Sequence, residues 1–349
     1  MLALDDIVVP PDLRHMRRFA LDGALLLFDR RTGWTALCDG DETSHLRMTA
    51  PRVVQFGITN VCNLACTFCS RSLDARSEWT VDSAFDYLAT LAEAGTLEVA
   101  FGGGEPLVFR DFPRLVKRLS EETPLAVSFT TNGTRLSDDC ALELAPYTSQ
   151  VRLSLYDNVD HRPPMGALQK HRMRFGINYL VTPARLPELQ AQVLSLVALG
   201  CEDILLLSYN GRDADMHLSV ADTSMLAERV RLLSRALRGR CTIKLDICFG
   251  ERMDAVPQLL NGGWSEGAAG CPAGREFVVV TSDRRVAACS FHHRSFAAAS
   301  AEELLMQWRD QRDALASAAQ DPGCARAASE QPRDVSKLLP LYDGARSQS

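Results

Sequence analysis

Residues 53–70 read VVQFGITNVCNLACTFCS, an apolar run that leads directly into three cysteines. The valine, phenylalanine and isoleucine side chains of the run predict a buried β-strand over residues 53–58. Cys62, Cys66 and Cys69 then fall within eight residues of one short segment. Because soft thiolates gathered on a loop are typical ligands of metals and iron–sulfur clusters, the stretch predicts a strand that ends at a metal-binding loop.

The alternation of short apolar runs with amphipathic segments continues from this strand to residue 248. One helix is predicted between Thr80, a favourable N-cap residue, and Gly95, a favourable stop. Strands that alternate with helices and are apolar on both faces form a parallel sheet of right-handed β-α-β units. The sequence therefore predicts an α/β fold, a partial (β/α)6 TIM-like barrel. Its further strands are expected at residues 97–101, 125–129, 151–155, 175–181, 204–207 and 243–247.

The two ends of the chain have a different pattern. Apolar residues 24–28 and 34–37 flank a polar turn and predict a short N-terminal β-hairpin. Near the other end, residues 277–280 and 286–288 predict a second hairpin, and residues 301–316 a helix. We therefore divide the chain into an N-terminal β preface (1–50), the barrel (51–248), a small domain of hairpin plus helix (249–325) and a mobile tail (326–349).

The overall composition is that of an ordinary globular protein. The chain has 349 residues, of which 46% are hydrophobic and 23% charged, and its net charge is −6. The sequence has no basic patch that would indicate a nucleic-acid partner. It also has no apolar run that would indicate a membrane span or a signal peptide. We therefore expect a cytoplasmic protein. Its eleven cysteines are better explained by metal ligation than by disulfide bonds, because that compartment keeps thiols reduced.

Cys62, Cys66 and Cys69 have the spacing C-x3-C-x2-C, with Phe68 immediately before the last cysteine. Over residues 51–248 the sequence resembles the radical S-adenosylmethionine (SAM) superfamily. The resemblance implies that the three thiolates bind a 4Fe-4S cluster and that SAM chelates its fourth iron. One electron would then cleave SAM to a 5′-deoxyadenosyl radical, which abstracts hydrogen from a substrate. The alternative is a zinc knuckle, which usually needs paired cysteines that are absent nearby.

Gly102-Gly103-Gly104-Glu105-Pro106 follows the second predicted strand of the barrel. Glycines there permit a close approach of the backbone to a ligand, and a carboxylate can accept hydrogen bonds from an ammonium group. The resemblance implies that Gly103, Gly104 and Glu105 meet the amino group of SAM. It also places Phe68 against the adenine and Ser154, at the end of the fourth strand, near the ribose or the methionine carboxylate.

Two asparagines complete the predicted SAM site. Asn132 ends the third strand, although its Asn-Gly pair is also a turn signal. Asn178 is a polar residue within an apolar strand, which favours either a ligand contact or a satisfied buried amide. The sequence assigns no catalytic residue.

Cys271 and Cys289 flank the second hairpin and predict another iron–sulfur site. This region resembles the SPASM extension of radical SAM enzymes or its shorter relative, the twitch domain. The absence of a further C-x2-C pair, and Arg284 where a glycine is expected, favour a twitch domain with one auxiliary 4Fe-4S cluster. Cys248 and Cys324 would complete its ligands; alternatively Cys248 is a core residue and Cys324 an unrelated cysteine.

By this resemblance we expect an enzyme that modifies a ribosomally made precursor peptide, by cross-linking or epimerisation. The alternatives are dehydrogenation of a small polar metabolite of aminocyclitol or sugar type, work on a cofactor precursor, or a non-enzymatic iron–sulfur scaffold or redox sensor. A reductant of flavodoxin or ferredoxin type would supply the electron. The N-terminal hairpin would either pair with a leader peptide by strand addition or cover the lower end of the barrel.

Overall fold

The computed structural model describes residues 4–69, 71, 75–211, 213–249, 271–292 and 294–319. The predicted ligand Cys324 and the predicted tail lie outside these residues, as do residues 250–270 of the predicted small domain.

The N-terminal region is a small antiparallel sheet of three strands. Its strands are β1 (Arg17–Ala20), β2 (Ala24–Phe28) and β3 (Thr35–Asp39), in that order across the sheet. The predicted hairpin corresponds to β2 and β3. The sequence analysis missed β1, because a strand that begins with two arginines lacks the apolar alternation that signals one.

A sheet of parallel strands forms the centre of the molecule. Seven strands pair in chain order, and each runs parallel to its neighbours. The prediction of an α/β fold with a partial (β/α)6 barrel is confirmed, with predicted strand ends that differ from the observed ones by at most two residues. The strands are β4 (Val53–Thr59), β5 (Glu98–Gly103), β6 (Ala126–Thr131), β7 (Gln150–Ser154), β8 (Phe175–Val181), β9 (Asp203–Ser208) and β10 (Thr242–Leu245).

Six helices connect these strands and share one apolar core with them. They are α1 (Val81–Glu93), α2 (Phe112–Glu122), α3 (Asp138–Leu144), α4 (Arg162–Lys170), α5 (Leu189–Ala198) and α6 (Val220–Ala236). Thr80 caps α1 as predicted, since its hydroxyl accepts a hydrogen bond from the Ser83 amide at 3.1 Å. Among the described residues, no helix is long and apolar enough to cross a membrane.

The N-terminal sheet lies against the lower end of the barrel, where the parallel strands begin. Arg17 donates hydrogen bonds to the carbonyl oxygens of Ala92 and Thr96, at 2.9 and 2.8 Å. Arg30 donates to the carbonyl oxygen of Thr123 at 3.0 Å. Ala92 lies in the last turn of α1, and Thr96 and Thr123 lie between a helix and the next strand. The two arginines therefore add hydrogen bonds to backbone acceptors at the C-terminal ends of α1 and α2.

The predicted second hairpin is present, and a helix follows it. It consists of β11 (Phe277–Val280) and β12 (Arg285–Ala287), and β13 (Ser295–Ala297) and α7 (Ala301–Ala319) come next. β11 pairs in parallel with β4, so the hairpin extends the central sheet at its β4 edge. The additional strand β13 pairs with β12. With three residues it is too short to leave a clear sequence pattern.

Arg284 in the hairpin turn explains why a glycine is expected there. Its φ of 57° lies in the left-handed region, which glycine adopts without steric cost. Its side chain makes two contacts that offset the strain. The guanidinium donates to the carbonyl oxygen of Ala299 at 3.0 Å and lies over the Trp79 ring, 4.4 Å from the centroid.

Charged side chains from three strands of the barrel, β7, β9 and β10, form a row that passes over β8. Arg152 and Ser154 are two residues apart in β7 and therefore share one face of the sheet. The Arg152 guanidinium makes a two-fold ion pair with Asp203, at 2.8 and 3.2 Å, and the Lys244 ammonium lies 2.7 Å from the same carboxylate. Gly176 of β8 lies between them, and a Cβ there would be 2.5 Å from the Arg152 guanidinium. A glycine at this position thus lets Arg152 reach across β8.

Candidate iron–sulfur and S-adenosylmethionine site

The predicted site residues follow neighbouring parallel strands. The cysteine loop follows β4, the Gly102–Pro106 segment follows β5, and Asn132 follows β6. Ser154 ends β7 and is the direct neighbour of Asn178 in β8. Because parallel strands end at the same edge of a sheet, these residues share the end of the barrel where such folds carry their active sites.

The thiols of Cys62, Cys66 and Cys69 are half-buried and near enough for their charges to interact. Burial raises the pKa of Cys66 to about 11, and the two other thiols add to the effect. Burial also raises the pKa of Cys62. Since iron binds thiolates, a positively charged cluster would displace these protons and compensate the negative charge that burial disfavours. The donor set of the loop therefore fits a cluster.

Among the described residues, no three His, Cys, Asp or Glu side chains are arranged to hold one metal ion. In a four-iron cluster each thiolate binds a different iron atom, so its ligands do not converge on one point. This finding therefore concerns single ions such as zinc and does not bear on the predicted cluster.

Gly103 and Gly104 pack against the backbone that leads into the cysteine loop. The Gly104 amide donates to the carbonyl oxygen of Thr59 at 2.6 Å, and the Glu105 amide donates to that of Val61 at 2.9 Å. A Cβ on Gly103 would lie 2.5 Å from the Thr59 oxygen, and one on Gly104 would collide with the Val61 oxygen. The two glycines thus permit a close approach to the protein's own backbone. Their predicted contact with SAM stays a prediction.

The space next to Gly102, where another residue would have its side chain, is open. A Cβ built there would meet no atom within 4 Å. Gly102 pairs with Gly57 near the ends of β5 and β4, so this opening lies at the end of the barrel that carries the cysteine loop, and a ligand can approach the glycine segment there.

Glu105 joins the end of β5 to the end of β6. Its side chain accepts hydrogen bonds from the Thr131 hydroxyl at 2.7 Å and from the amides of Asn132 and Leu107 at 2.8 and 3.2 Å. Glu105 is 2% exposed, and this burial raises the pKa of its carboxyl group. The three hydrogen bonds act in the opposite direction, because they favour the ionised form. The predicted contact with the amino group of SAM stays a prediction, and protein donors already take three positions on the carboxylate.

Asn132 holds the cysteine loop to the end of β6. Its side-chain amide donates to the Asn63 side chain at 2.9 Å and accepts from the Thr134 amide at 3.0 Å. Asn63 in turn donates to the Thr134 hydroxyl at 2.7 Å. The sequence analysis missed Asn63, although its place beside Cys62 in the loop was a usable signal. The predicted SAM contact of Asn132 is untested.

Asn178 has the buried polar atom that a ligand would satisfy. Its side-chain oxygen has no hydrogen-bond partner among the described residues. Because a buried acceptor without a donor costs about 1–3 kcal/mol, its presence beside Ser154 fits a bound polar ligand. The predicted roles of Asn178 and Ser154 toward SAM rest on this fit.

Phe68 stacks on Tyr156, with ring centroids 5.8 Å apart and an interplanar angle of 11°. One face of the Phe68 ring is thus covered by protein, and the predicted adenine contact would use the other. The sequence analysis gave Tyr156 no role, because the ring contact joins residues far apart in the chain.

Three predicted auxiliary ligands come together. Burial raises the pKa of Cys248, and the nearby Asp246, Cys289 and Cys271 raise it further. The Asp246 carboxylate accepts the amides of Cys248 and Ser208, both at 2.9 Å, which fixes the segment that carries this cysteine.

A protein-family model matches the central part of the chain. Residues 56–174 match the model of the Radical SAM superfamily. An S-adenosylmethionine-dependent nucleotide dehydratase from Lacinutrix mariniflava is 30% identical over 114 residues, which are 31% of this chain and 24% of the relative. PqqA peptide cyclase from Bradyrhizobium diazoefficiens is 36% identical over 98 residues, 27% of this chain and 26% of the relative. The matches thus span about a quarter of the length of these relatives.

Solved structures show the same fold over most of the chain. Streptococcus suis SuiB bound to S-adenosylmethionine superposes with a TM-score of 0.66 at 15% identity, covering 93% of each chain. SuiB bound to its precursor peptide SuiA gives 0.62 at 18% identity, covering 83% of this chain and 71% of SuiB. The cofactors that the family implies are a 4Fe-4S cluster and SAM, and the thiols, the Gly102 opening and the Asn178 oxygen fit them. Residues 56–174 of this chain are a radical SAM domain.

Proposed function

We propose that this protein is a radical SAM enzyme that modifies a peptide. The observation that carries the proposal is the loop with Cys62, Cys66 and Cys69, which follows β4 at the same end of the sheet as the Gly102 opening and lies within the matched domain. When bound, the cluster and SAM would supply a 5′-deoxyadenosyl radical that abstracts hydrogen from the substrate.

The residues of the chain would bind and orient these groups. The three thiolates would hold the cluster, and its remaining iron would be available to SAM. Asn178 would present its side-chain oxygen to a donor of SAM, and Ser154 lies next to Asn178 in the sheet. The Gly103–Gly104 backbone and Asn132 hold the cysteine loop against the ends of β5 and β6.

We further propose an auxiliary cluster bound by Cys248, Cys271 and Cys289, with Cys324 as its fourth ligand. Its support is the proximity of the three described thiols. Two four-iron clusters would give about eight irons per chain after reconstitution, and one would give about four.

The peptide substrate is proposed from the relatives. SuiB has been solved with a precursor peptide, and the similar Bradyrhizobium protein is a peptide cyclase. Cross-linking or epimerisation are the reactions we expect. The N-terminal sheet has an edge suited to peptide pairing, since within the described residues β3 pairs only with β2. A flavodoxin or ferredoxin would deliver the electron.

A small polar substrate is the second candidate. The similarity to a nucleotide dehydratase favours it, because that relative is 30% identical over 114 residues, which is comparable with the 36% over 98 residues of the peptide cyclase. An iron–sulfur scaffold or redox sensor is the non-enzymatic alternative.

The test is formation of 5′-deoxyadenosine under anaerobic conditions. Reconstituted full-length protein is incubated with dithionite and SAM, and Cys66→Ala protein serves as the control. We expect 5′-deoxyadenosine from the first protein and none above background from the second. Equal amounts from both would contradict the proposal and favour the scaffold. A precursor peptide encoded beside the gene should increase the yield of 5′-deoxyadenosine, and its own mass should change. If only nucleotides or sugars increase this yield, the second candidate is favoured.

A further inference from the structure

Asn60 lies between the end of β4 and the cysteine loop, and its hydrogen bonds lead to the chain that follows the loop. Its backbone amide donates to the Ser77 hydroxyl at 2.8 Å, and its side-chain amide donates to the carbonyl oxygen of Ala75 at 2.8 Å. The Arg71 guanidinium donates to the backbone carbonyl oxygen of Asn60 and lies 3.4 Å from its side-chain oxygen. One residue therefore joins the chain before the cysteine loop to three residues after it.

The two neighbours of Asn60 are bonded to a different part of the fold. The carbonyl oxygens of Thr59 and Val61 accept hydrogen bonds from the amides that begin and follow the last glycine of the Gly102–Pro106 segment, at 2.6 and 2.9 Å. The start of the cysteine loop is thus held between the glycine segment and the chain that follows the loop. Asn60 supplies the second of these attachments.

Ser77 adds to the attachment at Asn60. Its hydroxyl lies 3.2 Å from the Thr59 hydroxyl, and either group can donate in this pair. The Thr59 hydroxyl also accepts a hydrogen bond from the Val61 amide at 3.1 Å. Ser77 therefore contacts two successive residues at the point where β4 leads into the cysteine loop.

We propose that Asn60 is a positioning residue for the radical SAM cluster, because it fixes the two ends of the cysteine loop relative to each other before the cluster binds. A loop whose ends are free loses more conformational entropy when its three thiolates are brought to one cluster. With its ends fixed, the loop should bind the cluster more tightly and release it more slowly. The inference rests on the proposed function in one respect, that these cysteines are cluster ligands.

Two substitutions of Asn60 test the side-chain hydrogen bonds. Asn60→Ala removes the contacts with Ala75 and with Arg71 and leaves the backbone amide and carbonyl of the residue in place. Asn60→Asp keeps an oxygen near Arg71 but replaces the donor to Ala75 with a second oxygen, which repels the Ala75 carbonyl. Both variants lose the bond to Ala75, so both should hold the cluster less firmly.

Gln169→Ala is the matched control. Its side-chain amide also donates to a backbone carbonyl oxygen distant in the chain, that of Leu199, but it lies at the end of α4 rather than at the cysteine loop. Its loss should leave the cluster unchanged.

The experiment uses reconstituted full-length proteins without SAM. An iron chelator is added, and the decay of the paramagnetic signal that is absent from Cys66→Ala protein is followed. We expect this signal to decay roughly tenfold faster in both Asn60 variants, the change expected when one or two hydrogen bonds are lost, and at the wild-type rate in Gln169→Ala. The urea midpoint of the iron-free Asn60 variants should fall no further than that of Gln169→Ala, which a residue acting on overall stability would not satisfy. A variant that keeps this midpoint and binds no iron counts as the expected result.

A wild-type decay rate in Asn60→Ala would overturn the proposal, and so would one in Asn60→Asp, because the bond to Ala75 would then have no part in holding the loop. Faster decay with a much lower urea midpoint would also overturn it, since the residue would then support the whole fold. These readouts precede SAM cleavage, so protein that gives the expected result without forming 5′-deoxyadenosine would refute the proposed function alone. Wild-type protein that binds no iron would refute both.

Discussion

Gly104→Ala protein is expected to lose most of its cluster iron. The new Cβ would collide with the carbonyl oxygen of Val61, the residue before Cys62. The neighbouring atoms are backbone, which cannot turn aside as a side chain can, so the start of the cysteine loop must move. The hydrogen bond from the Gly104 amide to Thr59, at 2.6 Å, would be strained by the same shift. Iron per chain after anaerobic reconstitution measures the effect.

Gly102→Ala is the matched control, two residues away in the same segment. Its Cβ would meet no protein atom within 4 Å, so iron content should stay at the wild-type level. It would narrow the opening proposed for SAM, and we expect roughly tenfold weaker SAM binding, since an extra methyl group in a filled site costs about 1–3 kcal/mol. If Gly104→Ala protein holds as much iron per chain as the wild type, the close approach of the glycine segment to the cysteine loop is not needed for the cluster.

Asp203→Asn should destabilise the barrel by about 3 kcal/mol, because it leaves two largely buried cations without their anion. The side chains of Arg152, Lys244 and Asp203 are 17%, 26% and 13% exposed. Burial opposes ionisation of Asp203, but the two cations outweigh it and hold its pKa below the usual range. Urea unfolding of wild-type and variant protein measures the difference.

The pH dependence of this difference has a definite sign. A carboxylate whose pKa is lower in the folded state stabilises the protein above its unfolded pKa, about 4, and loses that contribution as pH falls through the folded pKa. The gap between wild type and Asp203→Asn should therefore be full at pH 7 and narrow in acid. Asp138→Asn is the control, since Asp138 pairs with Lys170 on the surface and should give a much smaller change. Equal losses in the two variants would contradict the assignment.

The sequence predicted the strands and the order of the barrel because their signals are local. The run at β8, Phe175–Val181, is apolar throughout and matches its predicted bounds, and the cap at Thr80 follows from its own hydroxyl. β1 was missed because its strand character comes from pairing with β2 rather than from its own residues. The contact of β11 with β4 joins residues far apart in the chain, which local patterns do not report.

The same difference between local sequence signals and contacts of distant residues applies to the candidate site. Cysteine spacing predicted the cluster loop, but the partners of each polar residue depend on the folded chain. Glu105 and Asn132 were expected to face SAM, and the structure shows how much of their hydrogen bonding goes to Thr131 and Asn63. The Phe68–Tyr156 stack and the Arg152–Asp203 pair cross between strands, so neither could be derived from spacing.

The most direct test of the central claim is whether SAM binds the iron that Cys62, Cys66 and Cys69 leave open. Electron paramagnetic resonance of the dithionite-reduced, full-length protein should be recorded with and without SAM, and the relevant signal is the one absent from Cys66→Ala protein. We predict that saturating SAM changes the g-values of this signal, because new ligands join one iron of the cluster. A signal that stays the same at saturating SAM would contradict the account.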